Sequence, residues 1–305
     1  MRRLSVVIVA WLLLESLAPL RAAAEGFGPF PVRNFQAVQQ LVLNLPGDRA
    51  AVLKPGALDL RVELANTATI ANDQGPPTQV TMKYETLRSG LFLRYGVAER
   101  LEVALEVPVL YRYQGFMNGL INATERATVG VSPQRQALKN TNYAFNVTSN
   151  GRTIMNGADG AVGLGDSTLM AKYQLVSESA TAPAISVRAA IKLPTGDANQ
   201  FFGSGSPDFG LGLAAEKKVA DRWILYANLN GVVPTGRIAG LALQPVVSGM
   251  TAVEYLWSEN FSLTLHFDYY SSPFRGTGAD FFDKGVTEVA AGFSYRIRRS
   301  EEHTS

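Results

Sequence analysis

The sequence predicts an all-β fold: an antiparallel transmembrane β-barrel of the outer-membrane type, with ten to twelve strands and the balance leaning to twelve. Three observations point there. Ten segments alternate apolar and polar residues with a period of two, most of them long enough to cross a bilayer as tilted strands. The connections between them alternate short and long, as turns on one side of a membrane and loops on the other do. The chain also opens on an export signal.

In that signal, Arg2 and Arg3 precede an apolar run from Leu4 to Leu14, and Ala22, Ala23 and Ala24 offer a small-residue cleavage site. Glu15, Pro19 and Arg21 cut the run short of the roughly 20 apolar residues a spanning helix needs. Residues 1–24 therefore read as a cleaved signal peptide. Cleavage takes three arginines from 28 basic residues and one glutamate from 26 acidic ones, leaving 25 of each. A mature chain without net charge has no basic field to recruit nucleic acid. The absence of cysteine excludes a disulfide framework, thiolate chemistry and a lipidated N-terminal cysteine.

Residues 25–56 come next, a Gly/Pro-rich opening (GFGPFPVRN, 26–34) and the run FQAVQQLVLNL (35–45). As a wall strand the run would break the even count, so the segment is expected to be periplasmic or lumenal. The barrel is expected to span 57–298, with a polar tail at 299–305. Its first strands are ALDLRVELANTAT (57–69), RSGLFLRYGV (88–97) and LEVALEVPVLYRY (101–113). In the third, odd positions from Leu101 to Tyr113 face lipid, while Glu102, Glu106 and Arg112 face the lumen. Pro108 cannot donate a ladder hydrogen bond and is expected to mark a bulge or break.

A long loop at 114–162 follows, the expected external gate. Inside it, NYAFNVTSNGRTIM (142–155) carries an Asn150-Gly151 turn between alternating runs. A hairpin there makes twelve strands if it joins the wall and leaves ten if it projects as a flap. The remaining strands are 163–175, 184–194, 208–219, 223–234, 244–257, 261–272 and 286–298; in 163–175, 184–194, 261–272 and 286–298 one side carries no charge. Tyr95, Tyr111, Tyr113, Trp223, Tyr255, Trp257, Phe261 and Tyr269 stand at strand ends, where membrane interfaces favour amphipathic rings.

The opposite parity defines the expected lumen lining: Arg94, Glu102, Glu106, Arg112, Asp166, Lys172, Arg188, Lys192, Glu216, Glu254, His266, Asp268, Glu288 and Arg296. Such charges either pair across the bore and close it or line a small aqueous path. Gly90, Gly96, Gly210, Gly212 and Gly292 share this face and thin the wall.

Specific chemistry is sparse. His266, Asp268 and Ser271 make a paper hydrolase, but no nucleophile motif accompanies them, and a lumenal polar ladder explains the same residues. Asp197, Asp280 and Asp283 sit in glycine-rich loops without regular calcium-ligand spacing. The run GSGSPDFGLG (203–212) leads into a strand, so it lacks the helix N-terminus a phosphate loop needs. No catalytic residue, metal or cofactor is assigned.

The residues GPFPVRN (28–34), LRYGVAERLEVALEVPVLYR (93–112), KLPTGD (192–197), GSGSPDFGLGL (203–213), QPVVSGM (244–250) and DYYSSPFRGTG (268–278) resemble one family. It is the group of bacterial outer-membrane barrels known only as a domain of unknown function, number 3187, loosely similar to barrel proteins associated with phenol degradation. The resemblance implies a barrel in the outer membrane of a Gram-negative bacterium and brings no catalytic residues. The expected function is a narrow channel or small-molecule uptake protein. An outer-membrane lipid hydrolase or acyltransferase using His266, and a structural barrel with a closed lumen, remain as alternatives. Expected partners are outer-membrane lipid, the barrel-assembly machinery and a small solute, with the protein acting as a monomer.

Lipid contact on the odd face of the third strand is directly testable. Leu105→Lys is expected to cost about 2 to 4 kcal/mol of folding stability in bilayers. Equal stability of variant and parent in urea titrations would remove the lipid assignment.

Overall fold

The computed structural model describes residues 26–297; the expected signal peptide and polar tail lie outside them. Strands occur at β1 (Leu58–Asp73), β2 (Thr78–Ala98), β3 (Leu101–Tyr113), β4 (Ala144–Ser149), β5 (Arg152–Asn156), β6 (Ala161–Leu164), β7 (Ser167–Val176) and β8 (Ala184–Leu193). They continue with β9 (Asp208–Ala220), β10 (Trp223–Pro234), the two-residue pair β11 (Arg237–Ile238) and β12 (Leu241–Ala242), β13 (Val246–Ser258), β14 (Phe261–Tyr270) and β15 (Val286–Tyr295). Three short helices, α1 (Asn118–Ala127), α2 (Pro133–Ala137) and α3 (Asp280–Asp283), sit in the loops. No helix among the described residues is long and apolar enough to cross a membrane.

The main sheet is antiparallel, and its wall runs β15-β14-β13-β10-β9-β8-β7-β3-β2-β1. Every neighbouring pair is joined by a tight turn or an outer loop, so no crossover is needed. This is a transmembrane barrel wall of ten strands. In hydrocarbon each backbone N–H and C=O must find a partner within the protein, and the ladders supply it between every neighbouring pair from β15 to β1.

The outward rows are apolar around the wall. One runs Leu225, Val253, Leu265, Ala291 and another Ile185, Ala215, Ala227, Thr251, Phe267, Val289. Paired rings flank the band: Trp223 lies 4.7 Å from Tyr255, tilted, at one edge, and Tyr111 stacks on Tyr113 at 4.8 Å at the other. The inward rows are polar, for example Ser248, Asn230, Gly212, Arg188, Lys172, Glu102 and Gly96.

Two local departures have physical causes. β3 pairs β7 from Leu101 to Glu106 and β6 from Val109 to Arg112, and the register shifts by one between them. The break lies at Pro108, whose carbonyl accepts from Gly165 N–H at 2.9 Å while its own nitrogen has nothing to donate. The second departure is length: β2 begins at Thr78, ten residues before the alternating run read from the sequence, and joins β1 by the short turn 74–77. Beyond the membrane band the parity is kept but the polarity of the two faces inverts. Val80, Met82 and Tyr84 point inward and are buried, while Gln79, Thr81 and Lys83 point out.

The β4–β5 hairpin joins the same sheet by pairing β4 with Thr78–Lys83 of β2, above the end of β3. It raises the wall at the outer rim and adds no membrane-crossing strand. Phe145, Val147 and Met155 turn inward there. They meet Val80, Met82 and Tyr84, the segment residues Leu41, Val42, Leu43 and Leu45, and Phe274 and Phe282 of the loop carrying α3. An apolar layer therefore closes the outer mouth.

Candidate functional site

The interior is filled by the segment 26–56. It is extended apart from a single 3-10 turn at Val38–Leu41, so most of its N–H and C=O groups have no partner within the segment. The inward side chains of the wall supply those partners. Phe27 N–H and Gly28 N–H donate to Glu254 of β13 at 3.1 and 3.4 Å, and Phe30 N–H donates to His266 Nε2 of β14 at 2.8 Å. Leu43 N–H donates to Asp208 of β9 and Asp48 N–H to Asn228 of β10, both at 2.8 Å. On β8, Arg188 donates to the Pro46 carbonyl at 2.7 Å, and Ser186 and Lys192 bond the Ala50 and Leu41 carbonyls. Leu53 N–H reaches Glu102 of β3 at 2.9 Å, and Gly56 N–H reaches the Gly96 carbonyl of β2 at 2.8 Å.

Ion pairs reinforce the main-chain contacts. Arg33 lies 2.7 Å from Glu106 and 3.6 Å from Glu63 of β1, and Arg88 shares both carboxylates. Asp48 takes Lys172 of β7 at 2.9 Å and Arg94 at 3.8 Å, and Arg94 also pairs with Glu102 at 2.8 Å. Arg49 forks onto Glu216, with both oxygens engaged at 3.0 and 3.2 Å. Lys192 pairs with Asp208 at 2.8 Å and Asp166 at 3.1 Å.

Glycines make the room. A Cβ at Gly292 of β15 would stand 2.9 Å from the Phe30 ring, one at Gly210 2.6 Å from Leu45, and one at Gly96 2.1 Å from the Lys54 carbonyl oxygen. All ten wall strands thus touch the segment. Arg33 reaches β1 and Phe30, three residues earlier, lies against β15, so the first and last strands flank one short stretch. Those two strands share no ladder among the described residues.

Each residue read from the sequence as lumen lining has a place here. Arg94, Glu102, Glu106, Lys172, Arg188, Lys192, Glu216, Glu254 and His266 contact the segment directly. Asp166 holds the 194–207 loop through Gly196 and Ser204 N–H groups at 3.0 and 2.9 Å. Arg112 lies near the outer mouth between the Phe145 and Phe202 rings, 4.6 Å from each centroid, and donates to the Gln200 and Phe201 carbonyls. Asp268 takes His266 Nδ1 at 3.2 Å and faces Glu288 across the ladder, and Arg296 covers Phe27 at 4.7 Å. The parity rule also reaches Arg61, Glu63, Arg88 and Asp208, which the sequence reading passed over. Nothing periodic in 26–56 marks Arg33, Asp48 or Arg49.

The triad drawn from sequence is not assembled. His266 is buried, its Nε2 accepts from Phe30 and its Nδ1 faces Asp268, while the Ser271 hydroxyl accepts from Val247 N–H at 2.9 Å. Neither ring nitrogen is left to take a proton from Ser271. The aspartates weighed for calcium are spent locally: Asp197 on Asn199 and Gln200 N–H groups, Asp280 on Lys284, and Asp283 on Thr277 and Gly278 N–H groups. Inside the bore, cavities of about 40 Å³ beside Asp48 and about 50 Å³ beside Arg33 have room for a few waters each.

A family model described as "Protein of unknown function (DUF3187)" matches residues 5–302. No curated protein matches the chain. Among solved structures the chain is similar to LpxR from Salmonella typhimurium, at 10% identity over 79% of this chain and 84% of that one, with a TM-score of 0.51. It is also similar to the COG4313 outer membrane channel from Pseudomonas putida F1, at 16% identity over 80% and 78% of the two chains, with a TM-score of 0.49. The Pseudomonas putida toluene transporter TodX aligns at 12% identity over 79% and 69%, with a TM-score of 0.35. At these identities the first likeness speaks for the fold alone.

Asp208 tests how strongly segment and wall are tied. It is fully buried, pairs with Lys192 and accepts from both Leu43 and Thr235 N–H groups. Asp208→Ala leaves those donors and part of the Lys192 charge unpaired, and is expected to lower stability by about 3 to 5 kcal/mol in urea titrations of the reconstituted protein. A loss within about 0.5 kcal/mol, the range of ordinary surface substitutions, would show that the anchor carries no strain.

Proposed function

The chain belongs to the family described as Protein of unknown function (DUF3187), and we propose that it is a narrow outer-membrane channel for small solutes that the segment 26–56 closes. The observation that carries this reading is the chemistry of the stopper. Its main chain is held to the wall by hydrogen bonds, and Arg33, Asp48 and Arg49 by ion pairs, interactions that water replaces at modest net cost. Withdrawal of the segment would leave a bore lined by Glu102, Lys172, Arg188, Glu216 and Asn228, side chains that a hydrated path can solvate. A permanently closed scaffold has no need for so polar an interior, because a small barrel can be filled with apolar side chains.

The mechanism is passive. A solute crosses only while the segment is displaced, and charges of both signs around the bore favour small polar species over large or strongly charged ones. The 114–162 loop plays a divided part. Its β4–β5 hairpin covers the outer mouth through Phe145 and Val147, whereas α1 and α2 pack outside the wall and cannot obstruct the bore.

Arg33 and Arg49 are the two guanidinium groups of the segment, each seated on a wall carboxylate. Charge-assisted bonds of this kind are worth about 1.5 to 3 kcal/mol each. In planar bilayers, Arg33→Ala/Arg49→Ala is therefore expected to raise the open probability by roughly tenfold or more over the parent. Unchanged current from a variant that still migrates as a folded barrel would overturn the proposal.

A further inference from the structure

The outer rim carries a second cavity, separate from the bore. The face of β1 and β2 that presents Leu64, Leu87 and Leu91 to lipid continues upward through Asn66, Glu85, Ile70 and Lys83. Lys83 is four residues beyond Leu87, which places it roughly 13 Å further along the strand, at the level of lipid headgroups. Here α1 and α2 lie against the outside of the wall. Met117 N–H donates to Glu85 at 2.6 Å, and the Lys83 ammonium donates to the Leu138 carbonyl at 2.8 Å.

Between these helices and the wall lies a cavity of about 380 Å³. Its cations are Lys83, Arg126, Arg135 and Lys139, and no carboxylate lines it. Arg135 is neutralised by Glu125 at 2.7 Å and steadied by Asn118 at 3.1 Å. Arg126 and Lys139 are exposed and make no ion pair among the described residues. Asn118, Asn122 and Arg126 are spaced four apart on α1, so one helix face supplies polar groups to the cavity.

Below it on the same outward face of the wall, Leu64 of β1 and Leu87 of β2 are 73% and 37% exposed at the upper edge of the lipid band. An exposed apolar ledge beneath a cationic pocket matches one ligand shape: acyl chains under an anionic headgroup. We propose that this rim cavity binds a phosphorylated lipid of the outer leaflet, its phosphate held by Arg126, Lys139 and Lys83 and its chains resting on Leu64 and Leu87 of the wall. The proposal rests on the orientation of the barrel in the membrane and is independent of whether the bore conducts.

The test uses the full chain in phosphatidylcholine nanodiscs doped with bis-phosphorylated lipid A, with bound lipid counted by mass spectrometry after detergent extraction. Arg126→Ala/Lys139→Ala changes only exposed side chains and is expected to fold normally, with the barrel's heat-modifiable migration as control. Retained lipid should fall about tenfold in the variant, and equally when the lipid is enzymatically dephosphorylated. Equal retention by the variant, or of dephosphorylated lipid by the parent, overturns the proposal. So does displacement by inorganic phosphate at concentrations equal to the lipid, which would mark a site for the free anion.

Discussion

Every charge that an alternating strand turns inward has to be paired or hydrated, and that constraint organises this barrel. Adjacent strands satisfy part of it, as Arg94 does with Glu102 on the next strand. They cannot satisfy the rest, because a wall side chain has few neighbours on its own face and the bore lies in front of it. The segment 26–56 supplies what the wall lacks: backbone N–H groups for Glu254, Asp208 and Glu216, carbonyls for Arg188 and Lys192, and the side chains of Arg33, Asp48 and Arg49. An extended chain suits this task, since its main chain makes few bonds to itself and offers donors and acceptors on both sides.

The same constraint explains the pattern of glycines. A chain threaded through a ten-stranded bore needs space that full side chains would take, and Gly96, Gly210 and Gly292 give it at three heights. Where the segment reaches the outer mouth the chemistry changes. Leu41, Val42, Leu43 and Leu45 meet an apolar layer from β2, the β4–β5 hairpin and the last loop. The bore is thus polar along the membrane and apolar at its outer end, and the segment is bonded to polar side chains below and packed against apolar ones above.

Much of the wall was legible because strand parity is a local property. Nine of the ten alternating runs read from sequence coincide with wall strands to within a few residues at each end. The inward charges follow from that parity alone, including Arg61, Glu63, Arg88 and Asp208, which one more application of the rule would have found. The outer half of β2 was missed for a physical reason. Above the band its environment reverses, with water outside and an apolar mouth inside, so Val80, Met82 and Tyr84 alternate in the opposite sense to Leu87, Leu91 and Leu93. The segment was illegible as a partner, because its residues are surrounded on all sides and show no period, and its contacts are remote in sequence, 30 residues between Arg33 and Glu63 and 165 between Leu43 and Asp208.

The account turns on whether the segment must move for anything to pass. The Ser186 hydroxyl of β8 bonds the Ala50 carbonyl of the segment, and the chain has no cysteine of its own, so Ala50→Cys/Ser186→Cys introduces a single thiol pair. Single-channel recording of this variant before and after reduction is the most direct measurement. The account predicts a silent barrel while the disulfide holds and conductance events once it is reduced. Equal conductance in both states, with the crosslink verified by mass, would contradict it.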